Sequence, residues 1–378
     1  MYEQIREDTL FIILYSVVTA MAMMASCYLL FRRANAIAPD VTPPVRLRRW
    51  TAAFFAAFTL NHAWYMPIFF LSSSEDIRLC DLVGGLLDSL TVFPLIIIVL
   101  FVMLQDRRRP LWPVGVMIIP IIVGNTISVA TRSYDLLPLM YAYFLLMCIG
   151  LTIYVFRALK QYGSWLRDNY ADLEHKEVWQ SFVVLAIVLL AFAIYTLIYE
   201  STAYLYAIQL TCAVLICYLL WRVETLSDLS LLQPIQPIEE EQITAEIQDD
   251  NSLSQTNYDY IGALLQQHCI DTQLYLQHDL TLLQLAKAIG TNRFYLSQYF
   301  SSQGMSYNAY INNLRINHFV SLYQEAIATH RPFNALQLAS ESGYRSYSTF
   351  RRAFKLQMGQ NVREWMGNTD QNCSNQQE

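Results

Sequence analysis

The sequence predicts an all-α chain in two parts. A bundle of seven transmembrane helices (residues 1–221) is followed, across a linker (222–255), by a smaller domain with two helix-turn-helix subdomains (256–367). Three observations carry this. Seven apolar runs succeed one another in the first 221 residues, each near the ~20 residues that a helix needs to cross a bilayer's hydrocarbon core. Of the 378 residues 54% are hydrophobic and only 15% charged, against roughly 25% charged in ordinary soluble domains. Beyond residue 279 the pattern changes to pairs of short capped helices, each pair broken at a glycine.

The seven runs cover about 9–31, 51–71, 82–104, 111–130, 136–156, 181–199 and 203–221. Pro67, Pro94, Pro113, Pro120 and Pro138 fall within them, and membrane helices tolerate proline better than soluble ones do. A soluble core imitates one or two such runs, not seven in succession. The first is not read as a cleaved signal peptide, since it lacks a basic leader and ends on Arg32-Arg33. Trp50, Trp112 and Trp221 suit anchoring at the membrane interface. The seven cysteines show no CxxC or zinc spacing and are read as buried small hydrophobes.

The loops set the orientation. Basic residues gather in loop 32–50 (Arg32, Arg33, Arg46, Arg48, Arg49), loop 105–110 (Arg107, Arg108, Arg109) and loop 157–180 (Arg157, Lys160, Arg167, Lys176). The alternate loops hold only Arg78, only Arg132, and none in Glu200-Ser201-Thr202. By the positive-inside rule the N-terminus lies outside and everything from Arg222 onward is cytoplasmic, with the chain multi-pass in a cytoplasmic membrane. Within the spans, Asn61, His62, Asp88 and Asn125 are costly to place. His62 and Asp88 are placed to pair, and three roles stay open for them: interhelical hydrogen bonding, sensing of a ligand or proton, and transport.

After Arg222, Leu226, Leu229 and Leu232 are positioned to extend the last span by two turns, until Pro234 and Pro237 end any helix. The linker 222–255 holds eight acidic residues and one basic, which suits a solvated tether. Residues 277–367 reverse the balance, with nine basic and four acidic, so the net charge of −6 hides a basic domain behind an acidic linker. Around 257–277, Tyr260, Leu264, Leu265 and Cys269 form a helical pattern expected to pack against the first helix-turn-helix. Thr281 with Gln284 is a capping-box start. Leu282, Leu285, Ala286 and Ile289 share a helical face, Gly290 turns the chain, and Thr291 or Asn292 caps a second helix. The pattern returns with Asn334 capping alongside Gln337, a turn at Gly343-Tyr344, and a cap at Ser346. Residues 368–378 read as a disordered tail.

Residues 256–366 resemble the AraC/XylS family of bacterial transcription regulators. The resemblance rests on Leu285-Ala286, Gly290, Tyr295-Leu296-Ser297, Phe300, Gly304, Tyr310-Ile311-Asn312, Leu314-Arg315-Ile316, Leu338-Ala339, Gly343-Tyr344, Ser348, Phe350, Phe354-Lys355 and Gly359. Two positions depart from the family: Val362 stands where proline is usual, and Val320 where alanine is. The resemblance implies double-stranded DNA as partner and two recognition helices, 292–301 and 346–355. It places Phe294, Ser297 and Gln298 of the first, and Tyr347, Ser348, Thr349 and Arg352 of the second, at base edges or the groove wall. The chemistry suits these roles: Arg352 for guanine, Gln298 for adenine, Phe294 or Tyr347 against thymine methyls. Arg293, Arg345, Arg351 and Lys355 are assigned to phosphates. The helix 306–324 is expected to hold the two readers about one DNA turn apart, with Arg315 a structural partner for a helix end or carboxylate.

The expected function is a membrane-embedded, sequence-specific transcription regulator. Its transmembrane part tethers the DNA-binding domain or senses an unidentified small-molecule or membrane signal, and a homodimer presents two reading heads. Two other readings stand beside it: a transporter or enzyme with a DNA-binding tail, and a regulator released by cleavage of the linker. No HExxH, P-loop, nucleophile elbow or carboxylate pair is present, so neither catalysis, metal nor cofactor is expected.

Overall fold

The computed structural model describes residues 8–32, 35–39, 41–184, 202–229 and 255–367. Among these residues the chain is helical, without a strand but with an isolated antiparallel bridge between Tyr170 and Thr281. It divides into two compact units: residues 1–162 with 175–233, and residues 163–174 with 234–378.

The first unit holds α1 (Thr9–Phe31), α2 (Val45–Tyr65), α3 (Ser74–Leu90), α4 (Val92–Met103), α5 (Trp112–Thr131), α6 (Leu137–Asn169, up to residue 162) and α7 (Thr202–Thr225). Five stretches among the described residues are long and apolar enough to cross a membrane: Thr9–Phe31, Ser74–Met103, Trp112–Thr131, Leu137–Asn169 and Leu205–Thr225. The expected count of seven is thus met only in part, and the two shortfalls have separate reasons. The run at 51–71 becomes α2, which starts six residues earlier, takes in Arg46, Arg48 and Arg49, and carries Asn61 and His62, lowering its mean hydropathy. At its end it tightens into a 3-10 turn, Met66–Phe69, containing Pro67. The run at 181–199 falls mostly outside the described residues. Outward faces of these helices are themselves apolar, with Leu10, Met24, Ile119, Leu139, Leu146 and Phe156 exposed. Such faces make membrane association possible.

Polar side chains tie the helices together. Ser26 Oγ donates to Ala52 O at 2.9 Å, and Arg48, only 7% exposed, donates through Nε to Leu29 O at 2.8 Å and through Nη2 to Arg32 O. Arg48 thereby serves the orphan carbonyls at the end of α1. Arg109 is likewise buried, in an ion pair with Asp106 at 2.8 Å. Charges that read as topology signals are therefore also structural links. The cysteines among the described residues divide: Cys269 is buried, Cys80, Cys148 and Cys212 are half-buried, and Cys27 and Cys217 are exposed on α1 and α7. The expected two-turn extension of the last span forms for about one turn only. α7 ends at Thr225, and the chain folds back so that Ser227 N donates to His175 O (2.8 Å) and Asp228 N to Thr42 O (2.8 Å). Leu226 and Leu229 are fully buried there; Leu232 lies outside the described residues.

In the second unit, α8 (Gln255–Leu265), α9 (Leu282–Ala288), α10 (Arg293–Ser302), α11 (Tyr307–Ala328), α12 (Ala335–Glu341) and α13 (Tyr347–Met358) come in order. Two apolar cores share α11. The first gathers Ile261, Leu265, Cys269, Leu285, Leu296 and Phe300 with Tyr307 and Ile311; the second gathers Leu338, Tyr344, Phe350 and Phe354 with Ile316, Phe319 and Tyr323. Burial pushes the Cys269 thiol up to about 11, so it remains protonated and acts as a small hydrophobe. Tyr260, expected to pack, is 64% exposed, and Ile261 takes its place. Val362 is buried in the second core and Val320 packs against it, so both departures from the family pattern are accommodated in the packing.

Candidate nucleic-acid interface

The helices α9, α10, α12 and α13 each begin at a side-chain cap, because the first backbone N–H groups of a helix have no partner of their own. Thr281 and Gln284 form the reciprocal capping box at α9. Asn292 caps α10, accepting from Tyr295 N at 2.8 Å, and Ser346 caps α13, accepting from Thr349 N at 3.3 Å. Asn334 caps α12 through Leu336 N (3.0 Å), but Gln337 does not complete a box: it donates to Glu341 at 2.8 Å, four residues on along the exposed face. Asn292→Ala should destabilise α10 by about 1 kcal/mol, read as faster hydrogen exchange confined to residues 292–302.

The glycines at the two turns carry positive φ, +72° at Gly290 and +86° at Gly343, a conformation in which a side chain costs energy. After Gly290 the chain enters α10, where Leu296 and Phe300 are buried and Phe294 stands 63% exposed. Ser297 and Gln298 are half-buried on this helix, as is Arg293. After Gly343, α13 buries Phe350 and Phe354 and turns Ser348, Arg351, Arg352 and Lys355 outward. Ser348, Arg351, Arg352, Lys355, Asn361 and Val362 line a shallow cleft of about 260 Å³. Three cations and a hydroxyl around one cleft suit an anion such as a DNA phosphate.

Some assigned residues are otherwise engaged. Tyr347 packs partly into the second core, its ring 5.6 Å from that of Phe350. Arg345 pairs with Asp279 at 3.3 Å. Ser348 and Thr349 donate to the Glu174 carboxylate, at 3.5 and 3.0 Å. Glu174 had no signal in the sequence, being one acid in a polar loop 175 positions from Thr349. Arg315 lies where the two cores meet, 1% exposed. Nε donates to Tyr275 O (2.8 Å) and Nη2 to Gln277 O (2.7 Å), at the end of the 3-10 turn Leu274–Leu276. The expected structural role at a helix end therefore holds. Its burial pulls the guanidinium below its usual value, offset by Tyr344 and Asp172 nearby.

In the first unit, Asp88 accepts from Asn61 Nδ2 at 2.8 Å and from Tyr65 Oη at 3.0 Å. The His62 ring instead stacks on Tyr15, with centroids 4.8 Å apart, and lies 4.0 Å from Phe58. The two residues placed to pair are thus held by different neighbours. Asn125 donates to Gly85 O at 3.1 Å. Asp88 and Asn125 act as interhelical hydrogen-bonding groups.

A family model described as a helix-turn-helix domain matches residues 285–368. That segment is similar to helix-turn-helix domains, in agreement with the DNA-binding part of the resemblance. The match spans both turns, α10, α13 and the connecting α11, and a helix-turn-helix domain implies DNA as a partner. Residues 1–284 lie outside the match. No curated protein and no solved structure matches the chain.

Proposed function

We propose that this chain is a sequence-specific transcription regulator embedded in the cytoplasmic membrane, its N-terminus outside and its helix-turn-helix domain in the cytoplasm. The observation that carries the reading is the match over 285–368 together with the basic outward face of α13, Arg351, Arg352 and Lys355. Membrane embedding rests on the five long apolar helices and the alternation of basic loops. Residues 163–174, from a basic loop, belong to the same compact unit as the helix-turn-helix domain, which supports placing both on one side of the bilayer. A signal acting on the membrane part shifts the DNA-binding part only through different affinity for two conformations.

The test uses the full chain in detergent micelles and duplexes selected from a random pool. Arg352→Ala should relax preference at one base position, by about 1–3 kcal/mol of discrimination. Arg351→Ala should weaken binding to all sequences alike and reduce the slope of log affinity against log salt by about 1. Unchanged base preference and salt slope in both variants would remove α13 from the reading surface.

A further inference from the structure

The segment 163–174 is separated in sequence from the rest of the second unit, yet it is built into it. Tyr170 forms the antiparallel bridge with Thr281, and Ala171 N donates to Leu280 O at 3.1 Å. Asn308 Nδ2 holds the other edge, donating to Ala171 O at 2.6 Å and Tyr170 O at 3.2 Å. Ala171 is 1% exposed and counts among the residues of the first core. Beyond this anchor the chain turns at Asp172, whose carboxylate accepts from Glu174 N at 3.1 Å. The turn delivers Glu174 to the first turn of α13, where its two oxygens take hydrogen bonds from Ser348 and Thr349.

That position bears on how α13 works. A recognition helix meets base edges with its N-terminal residues, and Ser348 and Thr349 lie in the first turn of α13. A carboxylate at a helix N-terminus is favoured by the same partial positive charge that favours a phosphate. DNA brings its own negative charge to this place, and two anions brought together out of water repel each other. Glu174 and a bound duplex therefore compete for one set of donors.

We propose that Tyr170–Glu174 is an internal strap that holds the DNA-binding domain back: its backbone anchors on the first helix-turn-helix, and Glu174 occupies the groove-facing turn of the second. The strap directly succeeds α6, one of the helices long and apolar enough to cross a membrane. Movement of α6 is then a direct means of withdrawing Glu174. The strap presupposes that the domain binds DNA, and adds the device that regulates that binding.

The experiment compares the full chain in detergent micelles with its Glu174→Ala and Glu174→Gln variants, using duplexes selected by the wild-type chain and random duplex as competitor. Asp168→Ala, a half-buried acid on the same segment whose carboxylate accepts from Ser164 Oγ at 3.3 Å rather than from α13, controls for loss of negative charge in general. A hydrogen bond to a charged group contributes enough to shift an equilibrium by roughly tenfold. Glu174→Ala should therefore tighten binding about tenfold, Glu174→Gln should tighten it less, and Asp168→Ala should leave it near wild type. Hydrogen exchange at 346–352 should rise in Glu174→Ala without DNA, while 280–284 stays protected. Selective binding that is unchanged or weakened in Glu174→Ala, or equally tightened in Asp168→Ala, overturns the strap and leaves the regulator reading standing. No selectivity over random competitor in any variant overturns the regulator reading, and the strap with it.

Discussion

Replacing Arg315 with Ala should unfold or loosen the junction between the two helix-turn-helix halves, at a cost of about 3–5 kcal/mol. The side chain is almost wholly buried, and its two hydrogen bonds end on the carbonyls of Tyr275 and Gln277. Its guanidinium also lies over the Tyr344 ring, 5.5 Å from the centroid, which links the first half to the turn of the second. Truncation removes all three contacts and takes the guanidinium donors away from the Tyr275 and Gln277 carbonyls. Arg315→Lys keeps the charge but not the fork, so it should recover only part of the loss. Hydrogen exchange is the suitable measurement, because two units need not unfold together. Peptides from 274–280 and 311–323 should lose protection in Arg315→Ala, and those from the first unit should not. Unchanged protection there would mean that Arg315 is dispensable to the fold.

The features legible in the sequence were those that local chemistry dictates. Thr281 with Gln284, Asn292 and Ser346 announced three helix starts because a cap needs only residues a few positions apart. The apolar faces of α9 and α10 came from period alone. The failures are contacts between distant residues or competition among neighbours. Gln337 has the spacing of a capping box, yet Glu341 one turn along is the stronger partner for its amide. His62 and Asp88 were near enough in register to pair, but Asn61 and Tyr65 satisfy Asp88 first. Glu174 lies in a loop whose basic residues fit a topology signal, and nothing local marks it as reaching α13. The leucines after Arg222 kept helical spacing, but their burial is achieved by a folded-back chain rather than by further turns.

A methyl group at residue 343 is expected to do more damage than one at residue 290, although both glycines occupy the left-handed region. At Gly290 an added Cβ meets open space, so Gly290→Ala costs only the backbone preference, about 1 kcal/mol. At Gly343 the added Cβ would lie 2.8 Å from both Leu276 Cα and Leu276 O. Those atoms are backbone of the first half and cannot swing aside, so the strain of overpacking adds to the conformational cost, for about 3 kcal/mol in all. The clash falls where the halves are joined, since Gly343 O also receives the His278 ring at 3.0 Å. Relief would push the second turn away from Leu276 and pull Tyr344, 2% exposed, from its place beside Arg315 and Phe350. The orientation of α13 relative to α10 would then be lost before either helix melts. Gly343→Ala should accordingly weaken binding to a duplex that spans both readers far more than Gly290→Ala does, while hydrogen exchange within 347–358 remains slow. If the two variants weaken binding equally, close packing at Leu276 does not set the geometry of the two readers.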